Sequence, residues 1–203
     1  MAGIGLYGIY YSKATVTDGV LTGYQGVQQM GKAISANFEP ADAEDNRLWA
    51  NNAIAETDGM ATSGGTLTVN VDRITNQAHQ DLFGLTSETV SVTVGGESVT
   101  GTGYDYDGTE SANIVGVAFI RWKQELQDRG IYEAVIYSYC SFKEPTEEMT
   151  TYDGDNGIEW QTPELEATVS GSTVTGEYPW RKKYTFPTQA AAIQFITDYF
   201  AEE

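Results

Sequence analysis

Two neighbouring runs with apolar side chains at every second position constrain the fold of this chain more than any other feature. Residues 114–123 are IVGVAFIRWK, and residues 131–142 are IYEAVIYSYCSF. A two-residue period is that of a β-strand, whose successive side chains point to opposite faces of a sheet. Because the polar loop between the runs ends at Gly130, we expect the two runs to form a long antiparallel hairpin.

Both faces of this predicted hairpin carry bulky side chains. Val117 and Phe119 point to one face, whereas Ile120 and Trp122 point to the other. A sheet with one solvated face would show a cleaner alternation. We therefore expect the second face to be covered, either by the rest of this chain or by a neighbouring copy. Full burial inside a single sandwich explains the pattern equally well.

Further alternating segments, separated by turns rich in Gly and Asp, predict a mainly β protein that forms one domain over residues 1–203. The clearest predicted strands cover residues 5–11, 32–38, 65–72, 89–94, 114–123, 131–142, 164–169 and 173–178.

Two helices are also predicted. The first covers residues 76–83 and is followed by Gly84, which can end it in the left-handed conformation. The second covers residues 188–201, with Thr188 as its N-cap. Its apolar side chains share one stripe, so we expect this helix to pack on the sheet. The stripe consists of Ala192, Ile193, Ile196 and Phe200.

The composition excludes several classes of function. The formal net charge is -18 and the only basic cluster is at residues 181–183, which argues against nucleic-acid binding. No apolar run is long enough to span a membrane, and residues 1–5 lack the features of a signal peptide. The expectation is a soluble protein made in the cytoplasm. Cys140 is the sole cysteine and is expected to be a small buried apolar residue.

No pattern in the chain indicates an enzyme, a cofactor site or a metal site. Residues 3–8 match G-x-G-x-x-G, but no strand precedes them. The acids of residues 153–159 are spaced wrongly for a calcium loop and are expected to lie in a turn. His79 is the only histidine and is expected to face solvent on the first helix. A two-acid glycosidase is the least favoured reading, since nothing indicates which two carboxylates would act.

A long acidic segment, residues 39–64, shows no sustained period and is called the arm below. It contains six acids between Glu39 and Asp58 against the single base Arg47. Loops of this length are commonly functional, and Leu48, Trp49 and Ile54 could anchor the arm on another surface. The alternative, in which Trp49 folds back onto its own core, has about even weight.

The order of these segments resembles the major tail tube proteins of long-tailed bacteriophages, of the type common in phages of Gram-positive hosts. The resemblance is carried by LWANNAIAETD at residues 48–58, the strand TLTVNVD at 66–72 and the helix NQAHQDLFG at 76–84. It extends to Tyr10 and Tyr11, to AISA at 33–36, to the hairpin at 114–142 and to EWQTPELEATVSG at 159–171. Residues 95–109 and the C-terminal helix do not align.

The resemblance implies an antiparallel β-sandwich or barrel-like tail tube fold with one short internal helix and a C-terminal helix. It further implies hexameric rings that stack into the hollow tube of a non-contractile tail, in a virion assembled in the bacterial cytoplasm. Viral DNA would pass through the lumen without specific binding, and tape-measure and tail terminator proteins would be partners. The arm would contact the next ring, and Asp105 and Asp107 are candidate lumen acids. The arm residues expected to make this contact are Asp42, Glu44, Asp45, Leu48, Trp49, Asn51, Asn52 and Glu56.

A second class of function is a monomeric β-sandwich binding module, such as a carbohydrate-binding or adhesin-like domain. Exposed Tyr and Trp side chains on one face would then form the sugar platform. Self-association distinguishes the two hypotheses, because a tube subunit must bind copies of itself whereas a monomeric module need not.

Overall fold

The structure is a computed structural model, which describes residues 2–41, 46–50, 53–58, 64–124, 130–146, 162–170 and 178–201. Within these residues the chain is mainly β, with antiparallel sheets and two helices, as predicted. The elements are β1 (Ala2–Thr17), β2 (Val20–Tyr24), β3 (Gln28–Gly31), β4 (Ala33–Pro40), β5 (Asn46–Ala50), β6 (Ala53–Asp58), β7 (Gly64–Val71), α1 (Asn76–Phe83), β8 (Ser87–Val94), β9 (Glu97–Tyr104), β10 (Ile114–Gln124), β11 (Gly130–Phe142), β12 (Glu164–Ser170), β13 (Arg181–Phe186) and α2 (Gln189–Tyr199).

The largest sheet curls into a barrel-like body. Its hydrogen-bonded order runs β1-β10-β11-β12-β7-β4. Lys32 alone separates β4 from β3, and β3 pairs with β1 along Ile9, Tyr10 and Tyr11. The strands therefore close on themselves at this end of the body.

The interior of the barrel is the main core, and α1 fills one end of it. In β12 and in most of β7 every second residue is buried, as expected for strands with one face inward. Ala78, Leu82 and Phe83 of α1 pack into the same core. The predicted role of Gly84 at the end of α1 is confirmed by its φ of 72°. At the start of the helix the structure adds an N-cap, since Thr75 Oγ1 accepts from Ala78 N at 3.1 Å.

Helix α2 covers the outer face of β10 and β11. Ala192, Ile196 and Phe200 are buried against the side chains of Ala118 and Ile120 in a second apolar cluster. The predicted N-cap is confirmed, because Thr188 Oγ1 accepts from Ala191 N at 3.2 Å. Within the described residues, the second apolar face of the predicted hairpin is thus covered by this chain itself rather than by a neighbouring copy.

The arm differs from the aperiodic loop expected from the sequence. β4 extends to Pro40, and β5 and β6 pair with each other in a separate two-stranded sheet. At the base of the arm, Ala41 N donates to Gly64 O at 3.0 Å, so the arm leaves the barrel and returns to it at neighbouring points. The predicted strand at residues 173–178 and the predicted turn at residues 153–159 lie outside the described residues, apart from Tyr178.

Candidate assembly surfaces

The β8–β9 hairpin stands away from the barrel. Every residue from Ser87 to Gly103 is exposed. Gly95 and Gly96 form its two-residue turn with φ values of 63° and 92°, the positive angles that the favoured hairpin turn requires at both positions. The hairpin is tied to α1 at its base, where Tyr104 Oη donates to Asn76 O at 3.0 Å.

The two faces of this hairpin differ in chemistry. One face carries Val90, Val92, Val94 and Val99, which are between 51 and 64% exposed, and we call it the valine face. Glu88 and Glu97 point to the same face, and the hairpin contains no Lys or Arg. The opposite face carries hydroxyl side chains alone between residues 89 and 102, namely Thr89, Ser91, Thr93, Ser98, Thr100 and Thr102.

A cleft opens toward the other end of the barrel, between β1 and β4. It has a volume of about 450 Å³ and is bordered by Gly5 and Leu6 on one side and by residues 35–38 on the other. In the described part of the chain no strand pairs with these two edges, since β1 meets β3 only from Ile9 onward. Its apolar lining consists of the half-buried Leu6, Ala36 and Phe38, and the core residues Phe119, Val135 and Tyr137 lie at its bottom with at most 5% of their surface exposed.

Arg181 lies in this cleft against aromatic side chains. Its guanidinium carbon is 5.0 Å from the ring centroid of Phe38, 5.4 Å from that of Tyr137 and 5.8 Å from that of Trp180. These distances are in the range of cation–π contacts. Its Nε atom is buried and has no hydrogen-bond partner among the described residues. Because Arg181 lines the cleft, its positive charge is available to an acidic group that enters the cleft, whereas its Nε is closed off inside the protein.

A buried carboxylate pairs with two further cations beside the cleft. Glu133 accepts from Arg121 Nε at 2.8 Å and from Lys123 Nζ at 2.5 Å, and its side chain is only 8% exposed. Burial by itself raises the pKa of Glu133, but the hydrogen bonds from Lys123 and Arg121 outweigh it and hold the pKa below its usual value. Burial and the charges of Arg181 and Arg121 lower the pKa of nearby Lys183.

The two candidate lumen acids lie on an exposed loop at the α1 end of the barrel. Asp107 Oδ1 accepts from Thr109 N at 2.9 Å and from Thr109 Oγ1 at 2.6 Å, and these bonds lower its pKa. Asp105 and Asp107 border a broad depression of about 780 Å³ together with Asp81, Glu88 and Glu110. The depression is acidic, as a DNA-repelling wall would be, and whether it faces a lumen stays a prediction.

The arm residues predicted to contact the next ring fall into two groups. Leu48 and Trp49 lie on β5 and Glu56 lies on β6, where Leu48 is the register partner of Glu56. Asp42, Glu44, Asp45, Asn51 and Asn52 lie outside the described residues. Contact with the next ring stays a prediction for both groups.

The remaining candidate residues are structural. Cys140 is buried, and burial raises the pKa of its thiol. His79 is half-buried rather than solvent-facing, because its ring packs edge-on against Phe83 at 5.1 Å and Tyr104 at 4.9 Å. In the described ranges no three His, Cys, Asp or Glu residues are grouped as a metal site, and no helix has the length and apolarity to cross a membrane.

A scan against protein-family models finds no match, and a search of curated proteins finds none either. The likeness to tail tube proteins thus stays a prediction based on residues of this chain.

Proposed function

We propose that this protein is the major tail tube subunit of a non-contractile bacteriophage tail, which self-assembles into stacked hexameric rings. The ordered resemblance along the chain is the first support for the proposal. The observation that carries it furthest is the β8–β9 hairpin, because a two-stranded hairpin in water is at best marginally stable by itself. Its exposed valine face is the kind of surface that becomes buried between subunits.

The charge of the chain is compatible with this function. A net charge of -18 disfavours the phosphate contacts and counterion release by which proteins hold DNA, so DNA would slide past an acidic wall. Ordinary solubility would also explain an acidic chain, so the charge supports the proposal less strongly than the hairpin does.

Electron microscopy of the purified protein tests the proposal. Negatively stained samples, prepared from the protein alone and after co-expression with tail assembly partners, should contain rings or tubes with a central hole. Monodisperse monomers under every assembly condition would contradict the proposal.

A monomeric sugar-binding module is the second candidate, and exposed tyrosines favour it. Tyr106 and Tyr184 are each 51% exposed and could stack on sugar rings. A glycan array separates the two candidates, since specific sugar binding without self-association would support the module and exclude the tube subunit.

A further inference from the structure

We propose that the β8–β9 hairpin of one copy docks into the β1–β4 cleft of a second copy, with its valine face toward the apolar lining of the cleft and its carboxylates toward Arg181. The inference rests on the proposed self-assembly and identifies the two surfaces that meet. Its partner is a second copy of this chain, and the contact is heterologous because the two surfaces differ.

The first reason is that both surfaces present strand edges that lack partners. β8 and β9 pair only with each other in the described residues, so each has an outer edge with free backbone donors and acceptors. The edges of β1 at Gly5 and of β4 at residues 35–38 are likewise unpaired there. Such edges bind an added strand by backbone hydrogen bonds.

The second reason is apolar complementarity. The valine face has no cover in the described part of its own chain, while the half-buried apolar side chains of Leu6, Ala36 and Phe38 line the cleft. Burying apolar surface of this kind is the main favourable contribution to most protein association. The hydroxyl face of the hairpin would remain toward solvent.

The third reason is charge complementarity. Glu88 and Glu97 are the only charged residues of β8 and β9, and both point to the valine face. The cleft contains Arg121 and Arg181, of which Arg121 is already paired with Glu133. Arg181 lines the cleft and has no acidic partner in the described residues, so an incoming carboxylate would pair with the accessible part of its guanidinium.

The positions of the two surfaces favour a repeating contact. The hairpin is hydrogen-bonded to α1 through Tyr104. Helix α1 in turn lies beside the first residue of β10, because Asn113 Nδ2, just before that strand, donates to Asp81 O of α1 at 2.9 Å. The cleft residue Arg121 lies seven positions beyond Ile114 on β10, or about 23 Å along the strand. A subunit with a projecting hairpin at one end and a receiving cleft toward the other can add copies head to tail.

Two pairs of matched variants test the contact. Val92→Lys places a charge on the valine face, and Thr93→Lys places the same charge on the hydroxyl face. Arg181→Glu reverses the cleft charge, and Lys182→Glu makes the same change at the next residue, whose Nζ lies over the Tyr199 ring on the other face of β13. Arg181→Met keeps the side-chain stem against the aromatic rings and covers the case in which Arg181→Glu fails to fold.

Sedimentation velocity should show wild-type protein, Thr93→Lys and Lys182→Glu associating to similar extents. We expect Val92→Lys and the Arg181 variants to weaken association at least about tenfold, with unchanged circular dichroism spectra. In a mixture of the two variants, the Arg181→Glu protein supplies an intact hairpin and the Val92→Lys protein supplies an intact cleft. The mixture should therefore form one-to-one dimers, and it should form no assembly larger than a dimer. Unimpaired association of either variant alone, a mixture that stays monomeric, or a monomeric wild type would each overturn the inference.

The same variants separate this inference from the proposed function. Wild-type protein that forms head-to-tail chains without a hollow tube would support the contact and contradict the tail tube function. Hollow tubes formed equally well by Val92→Lys and Arg181→Glu would support the function and overturn the contact.

Discussion

Replacing Glu133 with Gln tests how the cations beside the cleft are held in the folded barrel. Glu133 is buried and hydrogen-bonded to Arg121 and Lys123. Breaking a buried ion pair costs about 3–5 kcal/mol. Arg121 and Lys123 are 38 and 18% exposed, so water partly compensates for the lost carboxylate. We therefore expect Glu133→Gln to lower the free energy of unfolding by about 2 kcal/mol at neutral pH.

The loss should depend on pH in one direction. The pKa of Glu133 is lower in the folded protein than its reference value of 4.5, so the ionised form stabilises the fold. That contribution is complete above pH 4.5 and disappears as the pH falls through the folded-state pKa. The difference in unfolding free energy between wild type and Glu133→Gln should therefore shrink in acid.

Urea unfolding followed by tryptophan fluorescence measures this difference, at protein concentrations low enough to keep both proteins monomeric. Glu166→Gln is the matched control. It removes another carboxylate from an ion pair, but Lys143 and Glu166 are 65 and 47% exposed, so its cost should stay below about 1 kcal/mol. A Glu133→Gln difference as small as that of the control, or one that stays constant into acid, would refute the reasoning.

Three further predictions concern the arm, the C-terminal helix and the acidic loop. Deleting residues 42–58 should leave a normal circular dichroism spectrum, because both ends of the arm lie side by side at the barrel. The same deletion should abolish the stacking of rings in electron micrographs, and loss of the fold would contradict this prediction. Phe200→Ala should lower the unfolding free energy in urea by about 3–5 kcal/mol, because Phe200 is fully buried with its ring 4.8 Å from that of Tyr24. Asp105→Lys should leave thermal stability unchanged because its side chain is exposed, whereas Asp107→Lys should lower it slightly because the two hydrogen bonds from Thr109 are lost. Both changes should reduce DNA delivery by assembled tails, and unchanged delivery would show that these acids do not line the lumen.

The elements that the sequence predicts well are those whose signals are local. The long, nearly continuous apolar runs of β10 and β11 reflect burial on both faces, and each strand is long enough to make the pattern clear. Helices α1 and α2 carry their own capping residues, Thr75 with Gly84 and Thr188, so their bounds follow from neighbouring residues.

The candidate surfaces are harder to predict because they depend on contacts between distant segments. β9 contains Gly101 and Gly103 among hydroxyl residues, so it shows little apolar period, and only its pairing with β8 makes it a strand. The basic cluster at residues 181–183 reads as solvated charge. The cluster forms strand β13 only by pairing with β11, which is distant in the sequence. The aromatic rings around Arg181 likewise come from three different parts of the chain.

The position of α2 changes which surfaces could drive assembly. The sequence leaves two ways to cover the apolar outer face of β10 and β11, by a neighbouring copy or by the chain itself, and in the structure Ala192, Ile196 and Phe200 cover it. Both apolar clusters of the described chain are thus buried within a single copy. Folding and association can therefore be separate steps, with association left to the hairpin, the cleft and the arm. Copies of a chain with a net charge of -18 repel each other, so the contact between hairpin and cleft must outweigh this repulsion. An acidic hairpin that meets a cationic cleft replaces repulsion by attraction at the contact itself.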